Sequence, residues 1–147
     1  MGIHSGDVTP NRLYSIGNTY QLAAATVVAS PDFGGYATDA PARTLFYHAV
    51  ELYLKAFLLL ADTGSSKVVL SPDIEKLLEH AITCGLSVSQ TTHSFMRSAA
   101  HDRGADSVRD STDGDASTSL KLLVRAVIEV RAQLRAKLLA QGVEPAD

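Results

Sequence analysis

The sequence predicts an all-α protein, on three observations. Apolar residues recur at three- and four-residue spacing along several long stretches, the rhythm of one helix face. No segment alternates apolar and polar residues over a strand's length. Prolines and short polar residues stand where helix starts are capped, at Thr9-Pro10, at Asp39 to Pro41 and at Ser71-Pro72-Asp73. A length of 147 residues, 46% of them hydrophobic, suits one domain with a real core spanning 1–147.

The first helix opens at Thr9 and is expected to run to about Ser30. Leu13, Ile16, Tyr20, Ala23, Ala24, Val27 and Val28 mark its apolar face, and Pro31 stops it. The second opens at Asp39 or Ala40 and ends near Asp62, before Thr63-Gly64-Ser65-Ser66. Its stretch 43–62, RTLFYHAVELYLKAFLLLAD, is apolar enough to be buried on most sides. At 100° per residue, Thr44, His48, Glu51, Lys55 and Asp62 share an arc of roughly 60°, a narrow polar seam.

Ser71-Pro72-Asp73 opens a third helix, with a cap, a proline at the first position and an acid facing the dipole. Its apolar face is Ile74, Leu77, Leu78, Ala81 and Ile82, with Gly85 placed as its C-terminal glycine. A fourth spans about Thr91 to Arg103 on a modest stripe of Phe95, Met96, Ala99 and Ala100. Residues 104–118 are polar and lack apolar periodicity, so a mobile loop is expected there. The last helix, about Ser117 to Gln141, carries Leu120, Leu123, Val124, Val127, Val130, Leu134 and Leu138. Gly142 and Pro145 close it, and 142–147 are expected to fray. Short connections favour antiparallel neighbours, hence an up-and-down bundle of four to five helices.

Composition restricts function. A net charge of −3 does not indicate a broadly cationic nucleic-acid surface. The single cysteine, Cys84, has no partner for a disulfide, and no zinc spacing is present. The opening MGIHSGDVTP lacks a basic region followed by an apolar run, so no secretory signal is expected and a cytoplasmic setting is. Glu51 and Lys55, each costing about 3 kcal/mol in a lipid-facing helix, argue against a membrane span at 44–61. The acids Asp110, Asp113 and Asp115 lack the glutamate that a calcium loop needs at its twelfth place, where Lys121 stands. Neither a metal nor another cofactor is expected.

The run FYHAVELYLKAFLLLADTG, with His48, Glu51, Lys55, Ala56 and Gly64, resembles the signature helix of HEPN domains. The following SPDIEKLLEHAITCGLSVS is similar to the next helix of many such proteins, so the likeness covers residues 43–89. The resemblance implies a helical bundle, frequently a homodimer. Family members include metal-independent ribonucleases, non-catalytic partners of nucleotidyltransferases and small nucleotide-binding modules. Catalytic members carry an Arg-x4–6-His motif late in the chain, where histidine moves a proton at the ribose hydroxyl and arginine steadies the phosphate. This chain departs from that spacing: Arg97 and His101 have three residues between them. They still fall one turn apart on one helix face, with His93 a turn earlier and Arg103 close by. Arg43 and His48 satisfy the gap but sit in the wrong helix and about 140° apart.

Several readings follow. The leading one is a HEPN-like module, non-catalytic, binding a nucleotide or RNA or serving a nucleotidyltransferase partner, as a homodimer. The second is a metal-independent endoribonuclease of toxin or defence type, using Arg97 and His101. The third is a protein–protein interaction module. For His48, Glu51 and Lys55, a binding seam competes with a structural Glu51–Lys55 pair at i,i+4. For His93, Arg97, His101 and Arg103, a phosphate site competes with a solvated helix face. The basic residues of the last helix, Lys121, Arg125, Arg131, Arg135 and Lys137, spread over more than one face, which favours an exposed surface over an RNA edge.

Overall fold

The computed structural model describes residues 8–31, 33, 36–61, 73–104 and 113–147; of these, the side chains of 36–38, 99–104 and 113–118 are not described. The described residues form helices α1 (Pro10–Val28), α2 (Tyr36–Ala61), α3 (Ile74–Thr83), α4 (Gln90–Gly104) and α5 (Asp113–Ala140), and no strand is among them. The chain is all-α.

Helix ends follow the sequence closely. The Thr9 hydroxyl accepts from the Arg12 amide at 3.1 Å and Pro10 fills the first turn of α1. Asp73 accepts from the amides of Glu75 and Lys76, at 3.1 and 3.4 Å, at the start of α3. α3 and α5 end in one motif. Leu86 donates back to the Ala81 carbonyl and Val143 to that of Leu138, each at 2.9 Å, across a left-handed glycine, Gly85 at φ 107° and Gly142 at φ 76°. Two starts differ: α2 begins at Tyr36 and α5 at Asp113, each four or so residues before the expected place. Within the expected loop 104–118, residues 105–112 lie outside the described residues, and from Asp113 the backbone is helical.

α2 is the centre. Its Ala49, Val50, Tyr53, Leu54 and Ala56 are fully buried, and α1, α3 and α5 pack around it. Asp39–Ala61 has the length and mean hydropathy, 1.3, of a membrane-crossing helix, but burial by three neighbours accounts for the same composition. The faces of α3 and α5 are those expected: Ile74, Leu77, Leu78 and Ala81, and Leu120, Leu123, Val127, Val130, Leu134 and Leu138, are all buried. On α1 the buried side is turned. Tyr14, Gly17 and Ala24 are fully covered, whereas Ile16 is 40% exposed.

Residue pairs give the directions. Tyr14 meets Tyr53 and Tyr20 meets His48, so α1 and α2 are antiparallel. So are α3 and α4, through Glu79–His93 and Glu75–Arg97, and α4 and α5, through Ser87–Gln133 and Thr92–Glu129. α2 and α5 instead run in the same sense, since Lys137 lies over Phe57 and Gln141 bonds the Leu60 carbonyl. The strict up-and-down order is therefore corrected. Apolar on nearly every side, α2 is enclosed by its neighbours instead of holding one corner of a bundle, so its partners need not alternate in direction.

The C-terminal segment is the second correction. Residues 142–147 do not fray. Asn11 and Tyr14 of α1 and Arg131 and Arg135 of α5 hold them by hydrogen bonds.

Candidate functional site

The seam of α2 lies at the surface. Lys55 Nζ meets Glu51 Oε2 at 2.9 Å, with both side chains under one-fifth exposed, which is the structural pair expected at i,i+4. Thr44 and His48 are exposed, and the His48 ring stacks on Tyr20 of α1, centroids 5.2 Å apart. Asp62 lies outside the described residues. Arg43 bonds Asp39 at 2.6 Å, one turn back, and takes no part in a site with His48.

The stripe of α4 faces α3. His93 Nε2 lies 2.7 Å from Glu79 Oε1, and Arg97 Nε lies 3.8 Å from Glu75 Oε1. The two carboxylates are one turn apart, as are His93 and Arg97, so they form a ladder across the α3–α4 hairpin. Helix α4 continues through His101 and Arg103, whose side chains are outside the described residues. The cation of Arg97, 59% exposed, thus already has a carboxylate beside it, and a phosphate arriving there would compete with Glu75.

Further along, α4 is docked by an acid. Glu129 of α5 accepts from the Ser89 amide at 2.8 Å and the Ser89 hydroxyl at 3.0 Å, and also from the Thr92 hydroxyl and from Arg125 at 3.2 Å. Burial opposes its charge, but these bonds, led by the Ser89 amide, outweigh it and hold the carboxyl below its ordinary pKa. A negative charge at the first turn of α4 also suits the helix dipole. Arg125 is absorbed by this contact and Lys137 by the Phe57 ring, 5.0 Å away. Most of the basic residues of α5 therefore have internal partners.

The densest polar cluster joins α1, α2, α5 and the C-terminal segment, and of its residues the sequence reading noted only Arg131 and Arg135, as part of an exposed basic surface. Tyr53, fully buried, has its hydroxyl 2.7 Å from Asn18 Oδ1 and 2.8 Å from Gln21 Oε1. Arg131 Nε donates to the same Asn18 oxygen at 2.8 Å. A phenol has one proton, and the arginine fixes which end of Asn18 faces it. Tyr53 therefore donates to Asn18, and Gln21 turns its amide nitrogen to the phenol oxygen. The nitrogen of Asn18 is buried without a partner among the described residues. Burial, foremost, pushes the Tyr53 hydroxyl far above the ordinary phenol pKa, against the pull of Arg131. Burial and the bond to Asp147 raise Tyr14 as well. Both phenols stay protonated at neutral pH and act as donors.

This cluster offers fixed cations and neutral donors, a set suited to holding an anion and not to moving a proton. The signal that could have found it is a tyrosine inside an apolar stripe. Such a hydroxyl, once buried, needs a polar partner from another helix. Among the described residues, no three His, Cys, Asp or Glu side chains gather where they could hold a metal ion. Cys84, half-buried, ends α3 and packs against the core.

Comparison of the chain with protein-family models, with curated proteins and with solved structures returned no match.

Proposed function

We propose that the protein is a HEPN-like helical module that works by binding, not by cleaving RNA, with a nucleotide, an RNA or a nucleotidyltransferase as its partner and a second copy of itself as the other half of a cytoplasmic homodimer. The observation that carries the non-catalytic reading is the α3–α4 ladder. His93 and Arg97, which an RNA-cleaving site on α4 would need free to meet a phosphate, are engaged by Glu79 and Glu75. Supporting it, the signature-like residues Glu51 and Lys55 neutralise each other on the surface of α2.

A metal-independent endoribonuclease using Arg97 and His101 is the second reading, favoured by their placement one turn apart on a continuous helix. One assay separates the two. Purified protein incubated with labelled RNA and EDTA is expected to leave the RNA intact, and His101→Ala to change nothing. Cleavage that disappears in His101→Ala and Arg97→Ala would establish the ribonuclease. Binding is tested by thermal shift. A nucleotide at 100 times its dissociation constant adds about 2.7 kcal/mol of stability, a rise of several degrees. A flat response to mononucleotides and short RNAs removes the ligand-binding half of the proposal and leaves a protein–protein interaction module. Light scattering on the eluting protein reads the dimer directly.

A further inference from the structure

Beyond Gly142 the chain turns and lays residues 143–147 against α1 and α5. Asn11 grips their main chain at two points: its Nδ2 donates to the Glu144 carbonyl at 3.1 Å, and its Oδ1 accepts from the Ala146 amide at 3.0 Å. An amide that gives one bond and takes another on the same strand reads backbone, not side chains. Pro145 sits between the gripped groups, where no N–H is called on. The Asp147 amide then donates to the Pro145 carbonyl at 3.0 Å, a tight turn that brings its side chain to α5.

There the carboxylate is met by three side chains. Oδ1 accepts from the Tyr14 hydroxyl and from Arg131 Nη2 at 3.1 Å; Oδ2 accepts from Arg135 Nε and Nη2 at 3.1 and 2.9 Å. Two of these donors are in place without the carboxylate. Arg131 is held by Asn18 at 2.8 Å and lies over the Tyr14 ring, 5.2 Å from its centroid, and Tyr14 is fully buried. Such preorganisation is what a binding site needs. The bound carboxylate remains 41% exposed. Exposed ion pairs contribute about 0–1 kcal/mol each, so tethering, worth millimolar effective concentration, largely keeps the segment in place.

We propose that Asn11, Tyr14, Arg131 and Arg135 form a binding site for a protein segment that presents a carboxylate one residue beyond the clasped main chain, and that residues 143–147 fill it in cis as a displaceable competitor. The occupant in trans is an acidic segment of another protein, matched by the two arginines and free to carry proline inside the clasp. This site lies on α1 and α5, away from the α3–α4 ladder, and does not depend on the function proposed above.

The test is fluorescence anisotropy with a labelled peptide of residues 141–147, amidated at its C-terminus, added to the full chain. The Asp147→Asn chain, amidated at its own C-terminus so that neither carboxylate of residue 147 remains, is expected to bind it about tenfold or more tighter than the unaltered chain. Adding Arg135→Gln or Asn11→Ala to that variant is expected to weaken binding, as is a peptide ending in asparagine. The three substitutions in the chain are at partly exposed positions, and matching circular-dichroism melts confirm that the variants are folded. Absent binding to folded Asp147→Asn overturns the proposal, and so does equal binding of the asparagine peptide. A stable dimer of the unaltered chain that dissociates on Asp147→Asn overturns the cis assignment, because it means that copies exchange these segments.

Discussion

Gly17 of α1 sits against the Tyr53 ring of α2. A Cβ built there would lie 2.5 Å from Cε1 and 2.9 Å from Cδ1 of Tyr53. That ring cannot swing aside, since it is fully buried and its hydroxyl is tied to Asn18 and Gln21. Alanine at position 17 gains about 1 kcal/mol of helix propensity, while overpacking costs about 1–3 kcal/mol. Gly17→Ala is therefore expected to destabilise by about 1 kcal/mol, read as a lower urea midpoint at unchanged slope. A variant as stable as the original would mean that α1 shifts freely against α2. Ala24, on the apolar face expected for α1, is buried as well. Gly17 was missed because a lone glycine inside a helical pattern carries no sign of what faces it.

A second residue, Glu129, sets a pH dependence. Its carboxyl is held below its ordinary pKa: burial raises it, and the Ser89 amide, the Thr92 and Ser89 hydroxyls and Arg125 together lower it by more. A group depressed in the folded state adds stability that is complete above its unfolded pKa, near 4.3, and is lost as pH falls through the lower folded value. Glu129→Gln is expected to cost about 1–2 kcal/mol at neutral pH, since one oxygen that accepted bonds becomes a donor facing donors. The gap to the original should narrow steadily below about pH 4, where the glutamate itself becomes neutral. Urea melts at neutral and acid pH check this, and a gap independent of pH would refute the assignment of the charge.

At the scale of elements, α3 is the shortest of the described helices, Ile74–Thr83, and depends most on its cap. Asp73 satisfies the amides of Glu75 and Lys76, so Asp73→Ala is expected to cost about 1 kcal/mol and Asp73→Asn a few tenths. Thermal melts distinguish them; equal losses would mean that the charge, not the cap, matters. Such local chemistry is why the start of α1, the start of α3 to within two residues, and the ends of α3 and α5 were legible in the sequence. A cap and its amides lie within three residues of each other. The polar cluster was not legible for the opposite reason. Asn18 and Arg131 are 113 residues apart, and only the packing of α1 on α5 brings them together. The ladder was half legible: His93 and Arg97 read as one face of α4, but Glu75 and Glu79 become their partners only through the hairpin.

For the whole molecule, two kinds of attachment divide the chain. α3 and α4 join the body by buried apolar side chains and the Glu129 anchor, while α1 meets α5 through the cluster around Arg131. Arg131 bonds both Asn18 of α1 and Asp147 of the C-terminal segment. Arg131→Ala strips a partner from Asn18, whose nitrogen has none among the described residues, and leaves Asp147 to Tyr14 and Arg135. Asn18 Oδ1 keeps the Tyr53 hydroxyl, so the loss is that of the arginine's hydrogen bonds, about 0.5–1.5 kcal/mol each, and it falls on the α1 side of the molecule. Hydrogen exchange should therefore quicken by about tenfold or more in residues 143–147 and in α1, with α3 and α4 far less affected. Uniform quickening across all helices would mean that α1 opens only with global unfolding and that the body is one cooperative unit. If exchange is local, the segment that α1 and α5 share with Asp147 can open without disturbing the core around α2, which a displaceable occupant of that surface requires.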